Sequence, residues 1–402
     1  MSSKIIPDGF CILPWMSLYI ENDGVRNVCC HYKKETPDWP DINSEDQSNF
    51  KEIKNLRKKM LDGRWAAGCS TCKSIEDQGG VSHREKRNDE FKSMVDSALK
   101  SKGEPLDVYF ADLRLGNSCN LRCRMCDPLS SRPWANDWNK IYSGREKLYE
   151  AQRKKLLSSW SENDSSWDNI RRKLKSLKQI EFAGGEPFLM KDLADFLYEL
   201  VQSGESKDIT LSFITNLTLL PNNFTNLFSS FKAINITVSL DATKKMNDYI
   251  RSKSNFEKIH QNLLSLDKNF KQWNINRVGI NTTYQALNCL EIKDLCDYLQ
   301  PFKYVDKLPY LNILFEPAFY QVRHVPDELK KTAITQLEEI IDNFPEKSDW
   351  RLLSFNAAIS ALKQKSDKGL FNLFKRVTLK VDTFDQTHLR EINPRLYSYL
   401  FL

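Results

Sequence analysis

The sequence has no apolar run approaching the roughly 18 residues that a membrane-spanning helix needs, which sets a membrane protein aside. The amino terminus, MSSKIIPDGFCILPW, carries Pro7, Asp8 and Gly9 where a signal peptide would place its apolar stretch, pointing to the cytoplasm rather than to export. No internal repeat or low-complexity tract occurs, so a repeat array is not expected. An excess of one charge is almost missing too. The 59 Lys and Arg against 53 Asp and Glu leave a net charge of +6, too little by itself to argue for nucleic acid. Histidine is scarce: the five, at 31, 83, 260, 324 and 388, show no metal-ligand spacing and are read as structural. What is present is 402 residues with 41% hydrophobic and 28% charged side chains, the balance of an ordinary globular protein. At roughly 150 residues per domain this allows two or three domains.

Ten cysteines stand out. In a reducing compartment they do not read as a disulfide framework, so clustered ones are metal ligands or catalytic thiols. Cys11, Cys29, Cys30, Cys69 and Cys72 lie in the first 75 residues; Cys119, Cys123 and Cys126 lie within eight; Cys289 and Cys296 stand apart. The last two, seven apart on a helical pattern, are expected to be buried and inert.

Up to about Lys102 the chain is turn-rich, charged and poor in apolar stretches, and such a domain would gain from a metal staple. Strand-type runs follow at 107–115, 178–183, 208–214, 234–240, 276–284 and 309–316, with helix-like segments between them such as 191–203 and 289–300. This alternation predicts a parallel sheet with helices outside it. The runs end in GNSCN, GGEP, TN, SLD, TTYQ and FEP, polar or glycine-rich ends that would gather at one mouth of a six-stranded, laterally open barrel. From about Pro326 the chain reads as helical.

Immediately after the first of these runs comes Cys119-Asn-Leu-Arg-Cys123-Arg-Met-Cys126. Three thiolates on one short loop can hold three irons of a four-iron cluster and leave the fourth open, whereas structural zinc wants four protein ligands. This loop, placed at the first strand end of an α/β barrel, resembles the signature of the radical S-adenosylmethionine (SAM) superfamily, over about residues 105–325. Gly184-Gly185-Glu186-Pro187 resembles the family's GGEP segment, which receives the SAM amino group; a plain strand-to-helix turn is its competing reading. Asn216 in Thr215-Asn216 resembles the residue facing the SAM ribose or methionyl group, although the usual following glycine is Leu217. Ser239-Leu-Asp241 resembles the fourth-strand SLD, Arg251 stands where members place an arginine near the SAM carboxylate, and Met125 stands where the adenine packs. Each of these alone could equally be a turn residue, cap or surface charge. The resemblance implies a [4Fe–4S] cluster chelating SAM, reductive cleavage of SAM, and hydrogen abstraction from a substrate by the 5′-deoxyadenosyl radical. It names no catalytic acid or base.

Cys11, Gly24 and Cys29, followed by Cys69-Ser-Thr-Cys72, resemble the auxiliary-cluster domains called SPASM and Twitch. The missing later cysteines favour one auxiliary [4Fe–4S] cluster, the Twitch condition, here ahead of the barrel rather than after it. Cys30 stands as an alternative to Cys29, and a four-cysteine zinc site is the competing reading.

The expectation is therefore a Twitch-like iron–sulfur domain over 1–102, a radical SAM partial (β/α)6 TIM barrel over 103–339 and a helical C-terminal extension over 340–402. Its partners would be an electron donor such as flavodoxin or ferredoxin and a substrate peptide or anionic small molecule, with nucleic acid less favoured and no membrane. Alternatives are modification of a nucleotide, nucleic acid, sugar or small metabolite, or a non-catalytic zinc or iron–sulfur binding platform. The stretch 140–178 has a Lys and Arg excess equal to that of the whole chain, and Trp134, Trp138, Trp160 and Trp167 lie in or just before it. It reads either as a substrate-binding face or as a helical hairpin packed on the barrel.

Overall fold

The computed structural model describes residues 6–44, 50–77, 81–142 and 159–402. Among them ten strands form: β1 (Ser17–Ile20), β2 (Arg26–Asn27), β3 (Phe110–Arg114), β4 (Arg122–Cys123), β5 (Gln179–Ala183), β6 (Thr210–Thr215), β7 (Ala233–Ser239), β8 (Arg251–Ser252), β9 (Ile275–Tyr284) and β10 (Tyr310–Ile313). The six apolar runs correspond to β3, β5, β6, β7, β9 and β10. The fold is α/β with mostly parallel strands, and the chain divides into two compact units.

The first unit comprises 1–116, 158–184 and 190–212, so it runs past Lys102. In it β2, β1, β3 and β5 are neighbours in that order; β1 pairs antiparallel with β2 and parallel with β3, and β3 parallel with β5. All four residues of β1 are buried, as expected of a strand covered on both faces. Contrary to the expectation of a segment poor in core, Phe10, Ile12, Leu13 and Trp15 close on Ile53, Leu56 and Met60 of the helix Lys51–Leu61 and on Phe91, Val95 and Phe110. The charged run after Val81 forms two helices, His83–Glu90 and Lys92–Lys100, the first started by a capping box between Ser82 and Glu85.

Within the basic stretch, residues 143–158 lie outside the described residues. Beyond them, Trp167 is buried against Phe196, Arg171 faces Glu199 and Glu205, and Lys173 donates to the carbonyls of Ile42 and Ser44. These contacts are those of a packed helix.

The second unit comprises 117–157, 185–189 and 213–402. Its strands follow the order β6 (from Phe213), β7, β9, β10, with β7–β9 and β9–β10 parallel. Residues 340–402 form helices Leu352–Leu362, Lys368–Asp385, Leu389–Ile392 and Pro394–Phe401, which share one core with Trp134, Trp138, Tyr284 and Tyr320. Cys289 and Cys296 are both buried; Cys296 lies on the helix Ile292–Leu299 and Cys289 just before it. Among the described residues no helix is long and apolar enough to cross a membrane.

Candidate functional site

The three-cysteine loop lies in the second unit and is held at each end. Cys123 pairs with Arg251 across the short β4–β8 ladder, the Cys126 amide donates to the Cys123 carbonyl, and the buried Trp134 indole donates to that same carbonyl at 2.7 Å. Cys126 lowers the neighbouring Cys123 thiol from its ordinary value, while Cys123 and burial raise Cys126. Arg251 Nη1, 3.8 Å from Cys123 Sγ, adds to this. Burial pushes Cys119 up to about 12, and Cys123 is the next cause. The three sulfurs therefore share one electrostatic environment, with a cation beside the thiol most ready to ionise.

The other expected residues of the second unit lie around this loop. Gly185 has φ +55°, and a Cβ there would stand 2.3 Å from the Ser118 carbonyl oxygen; the Glu186 amide donates to that same oxygen at 2.8 Å. The GGEP turn is thus seated directly on the residue preceding Cys119. Gly184, in the first unit, has φ +80° and closes against Asn22 in the same way. Glu186 is fully buried and accepts from Thr215 Oγ1 at 2.6 Å, Asn216 N at 2.7 Å and Phe188 N at 3.2 Å. Burial outweighs these donors and pushes its carboxyl up to about 7.

Asn216 reaches Asn120 Oδ1 at 2.9 Å and points its amide at Cys119 Sγ at 4.0 Å. The following Leu217, where the family places glycine, adopts φ +53° and is completely buried. The left-handed backbone is retained, at a cost of about 1 kcal/mol that leucine's burial offsets. Asp241 is fully buried, accepts from Thr283 N at 2.7 Å and holds Arg251 by an ion pair at 2.8 Å. Ser239 ends β7 half-buried, and Met125 packs partly buried on the core of this unit.

Sequence reasoning missed the groups that lock the loop from its far side. Arg122 and Arg124, flanking Cys123, are both buried. Arg124 donates to Asp382 Oδ1 at 2.7 Å and to the Tyr249 carbonyl at 2.9 Å, and lies 3.7 Å over the Tyr249 ring, whose hydroxyl also donates to Asp382 at 2.7 Å. Arg122 pairs with Asp137 at 3.1 Å and with Asp385. Both Asp382 and Asp385 belong to the helix Lys368–Asp385. The helix Lys368–Asp385 therefore clamps the cysteine loop. The only local signal was the Arg-Cys-Arg triplet, which does not reveal its acidic partners.

In the first unit, Cys11, Cys29, Cys69 and Cys72 come together although they are spread over 62 positions. Cys11 lies within electrostatic reach of Cys69 and Cys72, and Cys29 of Cys11 and Cys72. Burial pushes Cys11 and Cys69 up to about 12. The segments are zipped by the Lys33 amide donating to the Gly68 carbonyl at 3.0 Å; at Gly68 a Cβ would strike the Tyr32 ring at 2.5 Å. Gly24 turns the β1–β2 hairpin at φ +85°. Cys30 faces Arg114, Asp112, Glu181 and Arg87 instead, so Cys29 is the member of the pair within reach of Cys11 and Cys72. No disulfide is formed among the described residues.

Residues 113–286 match the model of the Radical SAM superfamily, and the chain carries a domain of that superfamily. The chain is similar to the GTP 3′,8-cyclase of Clostridium acetobutylicum, with 26% identity over 195 residues, covering 47% of this chain and 51% of that protein. It thus spans about half the length of that curated relative. Among solved structures, anSMEcpe with bound AdoMet overlaps 59% of this chain and 61% of its own at 16% identity and a TM-score of 0.39. Streptococcus suis SuiB bound to S-adenosylmethionine overlaps 76% and 67% at 14% identity and a TM-score of 0.37. The superfamily's cofactors are a [4Fe–4S] cluster and SAM. The loop suits such a cluster, since it offers three clustered thiols, one of them acidified, and no fourth cysteine within the matched loop.

Proposed function

We propose that the chain is a radical SAM enzyme that abstracts hydrogen from a peptide substrate. The observation that carries the reaction class is the convergence of Cys119, Cys123 and Cys126 beside Arg251 and Asn216 within the matched domain. Cys119, Cys123 and Cys126 would hold the cluster, which would supply the electron for reductive cleavage of SAM.

The chain's own groups do the rest. Three thiolates hold irons, and Arg251, fixed by Asp241, favours the thiolate form of Cys123. The Gly185 turn allows backbone to approach a ligand where a side chain would collide, and Glu186 and Asn216 present the ends of neighbouring strands. Met125, Gly184 and Ser239 complete the proposed SAM contacts, with the six parallel strands read as a partial (β/α)6 barrel. Cys11, Cys29, Cys69 and Cys72 are the proposed ligands of one auxiliary cluster, and full cysteine ligation suits electron relay. A flavodoxin- or ferredoxin-type donor and the cytoplasm complete this reading.

The peptide assignment rests on the likeness of the amino-terminal cysteine pattern to Twitch domains. A nucleotide is the second reading, favoured by the similarity to a GTP 3′,8-cyclase. Anaerobically reconstituted protein with a chemical reductant and SAM should form 5′-deoxyadenosine, and the Cys119, Cys123 and Cys126→Ala variant should form none; SAM cleavage surviving in that variant removes the proposal. Adding GTP separates the substrate readings, because consumption of GTP with stimulated cleavage selects the nucleotide.

A further inference from the structure

Outside both cysteine clusters the first unit brings together three further metal-ligating side chains. Cys30 Sγ and one ring nitrogen each of His31 and His83 all lie within 4.8 Å of one another. The histidine rings meet edge-on, 5.4 Å apart at 72°. Cys30 and His31 belong to the turn after β2, closed by the Tyr32 amide donating to the Cys29 carbonyl. His83 is the first residue of the helix whose capping box fixes its start. Two rigid elements, 52 residues apart at His31 and His83, therefore present these ligands to one point. A tetrahedral zinc ion with Zn–S of about 2.3 Å and Zn–N of about 2.0–2.1 Å needs ligand atoms about 3.4–3.6 Å apart. The triad reaches that with side-chain adjustments of roughly 1 Å, within rotamer freedom.

We propose that Cys30, His31 and His83 form a mononuclear Zn²⁺ site with its fourth coordination position open. One thiolate and two imidazoles are a borderline-soft donor set that suits zinc. Three protein ligands are the count of an open site rather than a closed structural one, and Cys30 is solvent-exposed, so the fourth position faces an exogenous donor such as water, a carboxylate or a thiolate. His83 is held neutral, pushed down to about 3 by burial and then by Arg87, which leaves its ring nitrogen able to ligate. Within electrostatic reach of Cys30, Asp112 keeps Oδ1 buried without a hydrogen-bond partner while Arg114 takes Oδ2 at 2.8 Å. That oxygen is an acceptor of the kind that orients a metal-bound water. Binding exchanges the Cys30 thiol proton for zinc and involves no electron transfer. The site does not depend on the proposed SAM chemistry.

The full chain, reconstituted with iron and cleared of loose metal, is assayed for zinc and iron by mass spectrometry. The parent should retain about one zinc per chain. His83→Asn, His31→Asn and Cys30→Ser should each lose it with iron unchanged. Zinc absent from the parent, or retained in all three variants, overturns the site; iron falling in Cys30→Ser alone makes Cys30 a cluster ligand and overturns it as well. Cobalt(II) added to parent stripped of zinc by a chelator and reloaded with iron in zinc-free medium gives a readout that needs no variant. Tetrahedral d–d bands with a thiolate charge-transfer band support the site, and their absence refutes it. Azide should shift those bands, and an unshifted spectrum refutes the open position.

Discussion

Removing Asp382 tests whether the C-terminal helix holds the cysteine loop. Its carboxylate is the charge partner of Arg124, whose side chain has 0% exposure, and it also accepts from the Tyr249 hydroxyl and the Leu389 amide. Asp382→Ala strands a buried guanidinium, which costs about 3–5 kcal/mol. The two neutral donors left without an acceptor push the loss toward the upper end of that range. Against a typical total of about 5–15 kcal/mol this is a large fraction. Asp382→Asn keeps an acceptor and should lose less, about 1–3 kcal/mol. The double variant Arg124→Met with Asp382→Leu removes both charges and should recover most of the loss. Urea unfolding of the full chain, followed through the fluorescence of its tryptophans, measures stability, and iron retention after reconstitution reports on the loop. A loss below about 1 kcal/mol in Asp382→Ala, with full iron retention, would refute the clamp.

Two further outcomes follow from the same geometry. Gly185→Ala places a Cβ against the Ser118 carbonyl at φ +55°, so it should disturb the cysteine loop itself, reducing retained iron as well as SAM affinity by calorimetry; iron retained in full counts against the close contact. Glu186, raised by burial from its ordinary 4.5 to about 7, favours its neutral form in the folded state. Its contribution is thus fully present below pH 4.5 and is lost as pH rises through 7, a swing of about 3 kcal/mol. Glu186→Gln should lack that component, and parallel stability–pH curves for parent and variant would contradict it.

Much of the second unit was readable from local pattern. The spacing Cys119-x3-Cys123-x2-Cys126 confines three thiols to one loop whatever the rest of the chain does, so the sequence alone showed that they could share a cluster. The six core strands of the two units were likewise legible as short runs rich in β-branched and aromatic residues, such as the alternating Ala233–Ser239. β1 escaped notice because Ser17–Ile20 is only four residues long and follows directly on the short helix Leu13–Met16, and β4 and β8 are two-residue pairings with no periodicity to detect.

What only the tertiary structure decided concerns partners distant along the chain. Arg124 and Asp382 are 258 residues apart, and nothing local distinguishes a buried arginine from a solvated one. The neighbours Cys29 and Cys30 are chemically identical, yet the fold directs one thiol to Cys11 and Cys72 and the other to Asp112 and Arg114. Histidines with no ligand spacing became neighbours because β2's turn and a capped helix meet within the first unit. Local spacing governs which residues can act together only when the chain between them is short; across longer separations that choice belongs to burial and strand pairing.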